Sequence, residues 1–224
     1  MKRIFLTTGL VLAMLACKAQ YYYDRSKTTT PTQSTGRDFD HFYFLSWDNN
    51  TPSSNPDFIR QGSSLGTRLG FRKRLTDEDK FWVGGDFGWA VYKQYIPYST
   101  YSSSNGLSAF STDLYNYSYN FSLAATIDYF FLPKDKILVP YAGFGIGLAY
   151  YKFEQYYNIY SVDAGSWGLL LRPEAGVLVG FGQNSSWRIK AAFHYDYASN
   201  NNTEFGYSNF INTGFQVGLV KMAW

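Results

Sequence analysis

Apolar and polar side chains alternate without a break from Tyr115 to Phe131. Tyr115, Tyr117, Tyr119, Phe121, Leu123, Ala125, Ile127, Tyr129 and Phe131 fall on one face. Asn116, Ser118, Asn120, Ser122, Ala124, Thr126 and Asp128 fall on the other. Period 2 marks a β-strand, because successive side chains leave opposite faces of the pleat. The apolar face carries rings at both ends, and the opposite face is small and polar. This combination predicts an outer face that meets hydrocarbon between two aromatic girdles, with a lumen behind it.

The alternation recurs along the chain. Leu65, Thr67, Leu69 and Phe71 oppose Gly66, Arg68, Gly70 and Arg72, and Phe81, Val83, Phe87, Trp89 and Val91 oppose Trp82, Gly84, Asp86, Gly88 and Tyr92. Phe144, Ile146, Leu148 and Tyr150 oppose a run of Gly143, Gly145, Gly147 and Ala149. Similar strands cover Trp167–Phe181, Trp187–Tyr197 and Ile211–Leu219. Phe39–Trp47 reads as a further strand whose two faces are too alike to assign. Short polar turns are expected at 76–79, 133–136 and 183–186, and longer loops at 48–57, 96–112, 155–165 and 199–208. Alternating short and long connections, with an even strand count, predict an all-β, eight-stranded antiparallel up-and-down transmembrane β-barrel. A soluble barrel or sandwich is the rival. It would turn the polar faces to solvent, yet those faces hold Gly, Ala, Ser and Asn where a solvent face carries Lys and Glu.

Composition fits the membrane reading. Of the 224 residues 21% are aromatic and only 17% charged, with a formal net charge of +3, whereas soluble domains carry roughly 25% charged residues. The near-neutral balance gives no reason to expect nucleic acid. Residues 1–19 read as a secretory signal: Lys2 and Arg3 precede an apolar run, Ile4–Leu15, too short to span a bilayer as a mature helix. Cleavage after Ala19 is the preferred reading, and a lipidated Cys17 is the alternative. Residues 20–38, rich in Thr, Ser and Pro, read as a flexible periplasmic lead-in, and residues 39–224 as the barrel.

The stretches Pro140–Tyr151 and Leu171–Val177, with the terminal Trp224, resemble the small eight-stranded outer-membrane barrels of the OmpA/OmpX type. They resemble more closely the outer-membrane β-barrel domain proteins of Bacteroidota. The resemblance implies a cell outer membrane location with both termini periplasmic, contact with outer-membrane lipid and lipopolysaccharide, and recognition by the barrel-assembly machinery. The assembly signal it implies is carried by Gly218, Met222 and Trp224. Gly218 stands one residue too early for Trp224, and Lys221 interrupts the apolar series; a bulge near Val220 is expected to restore the parity.

Face assignment sends Arg68, Arg72, Asp86, Asp128, Arg172, Glu174, Arg188, Lys190, His194 and Asp196 into the lumen. Buried charges need partners, and an eight-stranded barrel is just wide enough to be filled by side chains. A salt-bridged plug is therefore expected, with a small gated conduit as the alternative. His194-Tyr195-Asp196 resembles the His-x-Ser pair of outer-membrane lipid A deacylases, but Asp196 stands where the nucleophilic Ser would be. No catalysis is expected. With His41 and His194 the only histidines, no metal site or cofactor is expected either. The Gly143-x-Gly145-x-Gly147 spacing is not that of a phosphate loop and is read as close lumen packing. The Tyr-, Ser- and Asn-rich outer loops, and the N-terminal segment, are the candidate contacts for a protein partner.

Overall fold

The computed structural model describes residues 39–54, 56–75, 80–102, 109–134, 136–183 and 185–223. The leader, the lead-in, the turn at 76–79, the loop tip at 103–108 and Trp224 lie outside the described residues. Eight strands follow one another: β1 His41–Pro52, β2 Ser63–Arg74, β3 Phe81–Ser102, β4 Ala109–Phe130, β5 Leu138–Tyr157, β6 Tyr160–Gly180, β7 Trp187–Ala198 and β8 Phe210–Ala223. Each pairs antiparallel with its sequence neighbours, and β8 closes on β1, so the sheet is a barrel without an edge. Closure matters because an open sheet edge cannot be hydrated in a bilayer.

The barrel is apolar outside and polar within. Leu123, Phe193 and Trp167 are 65%, 64% and 67% exposed, while Ser118, Asn116 and Gln216 are fully buried. A soluble barrel would show the reverse, and this outer surface is stable only against hydrocarbon. On β4 the outer positions from Tyr129 to Tyr115 carry no charge, which is enough for the roughly 9–11 residues of a membrane-crossing strand.

Three expectations about connections change. The stretches 96–112 and 155–165 are not loops over most of their length. β3 and β4 stay paired to Ser102 and Ala109 past an irregularity at Ile96/Ser99. β5 and β6 meet in a two-residue turn, Asn158-Ile159, with Asn158 in the left-handed region at φ 54°, a conformation Asn tolerates better than most residues. Alternation continues through these segments beyond the belt, and hairpin pairing follows it. β1 likewise runs on to Pro52, with Phe42, Phe44, Ser46, Asp48 and Asn50 facing inward.

β8 corrects the expected bulge. It pairs in unbroken register with β7 from Phe210 to Lys221 and with β1 from Asn212 to Ala223. Val220 and Met222 both point into the lumen and are fully buried. Lys221 faces outward, where its Nζ lies 3.0 Å from Ser186 Oγ and 4.8 Å from the Trp187 ring centre. A long cation at the aromatic girdle can reach polar groups there, so no bulge is needed to remove it from the apolar series.

Candidate functional site: the lumen

The lumen is filled at three levels. At the short-turn end, Phe42, Phe44, Trp82, Phe130, Tyr141, Leu178, Val220 and Met222 form an aromatic and aliphatic floor. Lys134 Nζ lies 3.0 Å from the Trp82 ring centre and 4.0 Å from that of Phe130, positions favourable to a cation over a ring face. Arg188, placed in the lumen by the alternation, belongs to this floor. Its guanidinium donates to the carbonyls of Lys136, at 2.9 Å, and of Lys134.

The middle level gathers the other charged positions read from the sequence. Arg172 donates to Asp196 at 2.7 Å, to Asp86 at 3.2 Å and to Ser122 Oγ at 3.1 Å. Arg72 donates to Asp128 at 2.7 Å and to Asp86 at 3.5 Å. Glu174 accepts from Lys190 Nζ at 2.8 Å, Tyr141 Oη at 2.5 Å, Arg68 Nη1 at 3.4 Å, and Gln216 Nε2. His194 lies between Asp48 and Asp196, 2.9 and 3.0 Å away. Every one of these ionisable groups is 8% exposed or less. Each carboxylate has a cation, which is what burial of charge demands.

Sequence reasoning missed Asp48. Asp48-Asn49-Asn50-Thr51-Pro52 has the composition of a turn and was expected to be outer loop. Pairing with β8, Asp48 against Gln216, keeps it in strand and sends its carboxylate to Arg68 Nη2 at 2.9 Å. A signal existed: Phe42, Phe44, Ser46, Asp48 and Asn50 continue one parity.

Glycines make room for these groups. A Cβ at Gly214, opposite His194 in the ladder, would collide with the imidazole, and one at Gly143 would collide with the Asp128 carboxylate. On β5, Gly143 is therefore a space for a lumen side chain, whereas Gly147 allows close approach of the β4 backbone at Leu123 and Ala124. Pro173 has a separate effect. The β6–β7 ladder lacks the pairs of Arg172 and Pro173, since proline has no N–H to donate. The Arg172–Asp196 ion pair joins β6 to β7 on the lumen side of that gap.

The long-loop end is closed by rings. Phe58 and Ile59 from the β1–β2 connection, and Phe205 and Tyr207 from the β7–β8 connection, pack on Tyr92, Tyr151, Phe153 and Phe210. Phe153 stacks on Tyr207 at 4.5 Å with a 10° interplanar angle, and Tyr151 meets Phe210 at 4.2 Å. Asn116 Nδ2 holds the Phe58 carbonyl at 2.8 Å, and Asn200 Nδ2 holds those of Ser166 and Ala149 at 2.6 and 3.1 Å. Both loops are thus tied to the strand walls. Burial, with Asp57 nearby, pushes the Tyr207 hydroxyl up, so it stays neutral.

His194 has no serine partner. Its contacts are Asp48, Asp196 and Arg68, while the nearby Ser199 Oγ accepts the Leu169 N–H at 2.9 Å. Among the described residues no His, Cys, Asp or Glu cluster is arranged to hold a metal.

No family model matches the chain, and no curated protein matches it. Solved structures do. Neisserial surface protein A is 17% identical with a TM-score of 0.51, over 82% of this chain and 97% of that one. The chain has the fold of the small eight-stranded outer-membrane barrels. Two further structures resemble it at lower scores. One is Ail, the attachment invasion locus protein of Yersinia pestis, in complex with the heparin analogue sucrose octasulfate: 11% identity, TM-score 0.45, 82% of this chain and 97% of that. The other is the N-terminal β-barrel domain of Pseudomonas aeruginosa OprF: 12% identity, TM-score 0.42, 81% and 98%.

Proposed function

We propose that the protein is an integral outer-membrane barrel with a structural or interaction role, whose lumen is a plug and not a path. Its termini are periplasmic, and its outer surface contacts outer-leaflet lipid and lipopolysaccharide after insertion by the barrel-assembly machinery through Gly218, Met222 and Trp224. It serves as an accessory subunit of a larger outer-membrane assembly and carries out no catalysis. The observation that carries the closed-lumen reading is the stack of an aromatic floor, an ion-paired middle and an aromatic cap. A hydrated conduit would need all three to move. Conductance across a planar bilayer tests it: the purified barrel should give no discrete steps, and reproducible single-channel openings would establish the gated-conduit reading instead.

The interaction reading has its own support. β3 to β6 are 20–22 residues long, while β1, β2, β7 and β8 are 12–14. The long strands raise Tyr95, Tyr115, Tyr117 and Tyr156 on the outer face above the belt, where they pack as Tyr95–Tyr115 at 4.9 Å and Tyr117–Tyr156 at 5.8 Å. Rigid tyrosines offer large contact area at small entropic cost. Extraction in mild detergent should yield a particle larger than one barrel with stoichiometric partners, and a particle of one barrel would remove the accessory role.

A further inference from the structure

The middle of the lumen holds the carboxylates Asp48, Asp86, Asp128, Glu174 and Asp196. Against them stand Arg68, Arg72 and Arg172, with Lys190 held as a cation against Glu174. Those nine groups leave one negative charge uncompensated in a buried site, which burial strongly disfavours. Arg188 and Lys134 belong to the floor, where the Lys136 and Lys134 carbonyls and the Trp82 ring hold them. The tenth titratable group of the middle level is His194.

Its surroundings decide its state. Nε2 lies 2.9 Å from Asp48 Oδ1 on β1, and Nδ1 lies 3.0 Å from Asp196 Oδ1 on its own strand. β2 presents Arg68, β6 presents Arg172 and Glu174, and β8 presents Gly214 with Asn212 and Gln216. An ionised carboxylate only accepts hydrogen bonds, and a neutral imidazole has one N–H and one bare nitrogen. Arg68 and Arg172 also donate to these two carboxylates, but Asp48 Oδ1 and Asp196 Oδ1 both receive an N–H from the ring only if it carries both protons. Arg68 Nη2, which only donates, lies 3.2 Å from Nε2 and 2.9 Å from Asp48 Oδ2; an imidazolium requires the Nε2 proton to go to Asp48 Oδ1 and Arg68 to donate to Oδ2 and not to the ring.

We propose that His194 is an imidazolium in the folded barrel, the fifth cation that makes this cluster neutral, so that the lumen is closed around a bound proton. The proposal deepens the closed-lumen reading and rests on it. Conductance tests that reading, whereas the ring nitrogens test this one, so the two fail separately.

The experiment is nitrogen NMR of the full chain, labelled with ¹⁵N-histidine and folded in micelles. The sequence has only His41 and His194, and the spectrum of His41→Gln assigns the signals without disturbing the lumen. At about pH 7.5, roughly one unit above the ordinary histidine pKa near 6.5, both His194 nitrogens should carry a proton and resonate together. One protonated and one bare nitrogen, widely separated, would overturn the proposal. A charge-balance series gives a second readout. His194→Gln should lower the temperature at which the folded, fast-migrating gel band is lost, and adding Asp48→Asn should raise it again by restoring neutrality. A double variant less stable than the single one would also overturn the proposal.

Discussion

The middle of the lumen and its two ends are filled by opposite means. The middle is ionic: Arg172, set among Asp196, Asp86 and Ser122, binds β6 to β7, β3 and β4 with directional bonds. The ends are aromatic: Phe153, Tyr207, Phe210 and Tyr151 above, and Trp82, Phe42 and Phe130 below, pack without needing any single partner. The difference teaches what each filling tolerates. A ring can be trimmed and its neighbours can relax, whereas a charge removed from the middle leaves its partner buried and unpaired.

Arg172→Met breaks the comparison hardest. It leaves Asp86 to Arg72 at 3.5 Å and Asp196 to His194 at 3.0 Å, and removing one partner of a buried pair costs about 3–5 kcal/mol. The urea midpoint of the folded barrel in detergent should fall by more than for any single ring truncation. Phe153→Ala in the cap should cost about 3 kcal/mol through lost packing, yet leave the nitrogen spectrum of His194 unchanged. If that spectrum moves, the cap and the middle are one unit. Glu174→Gln keeps the shape but leaves Lys190 without its carboxylate, and should cost about 2 kcal/mol. An unaltered gel transition would mean that Glu174 is not in a buried pair. Lys152→Ala is the smallest. Lys152 meets Glu154 at 2.5 Å and Asp163 at 3.4 Å on the outer face, where solvent screens a pair to within about 0.5 kcal/mol. A larger shift would show that this hairpin supports the barrel.

The alternation made most strands and their faces legible before any coordinates. Arg68, Arg72, Asp86, Asp128, Arg172, Glu174, Lys190, His194 and Asp196 share the inward parity of their strands, and parity is a local property of the backbone. The failures have equally local causes. Phe39–Trp47 carries rings on both faces, so no side could be chosen. Asp48 and Asn50 sit in a run with turn composition, and pairing with β8 on one side and β2 on the other keeps them in strand. Pro97 and the serines around it hid the continued hairpin of β3 and β4. β8 differs in kind: Lys221 interrupts the apolar series, and a girdle position suits a lysine.

The period of two, the inward parity of the charges and the small residues beside them follow from the order of residues alone, because they depend on each residue and its neighbours along one strand. Which charge meets which was decided by the tertiary structure alone. Arg172 and Asp86 are 86 positions apart, and His194 and Asp48 are 146 apart. Only the closure of β8 on β1 brings Asp48 and the imidazole within bonding distance. The closed ring fixes the lumen at a width that side chains span, so the register of the whole barrel, and not any one strand, sets the partners.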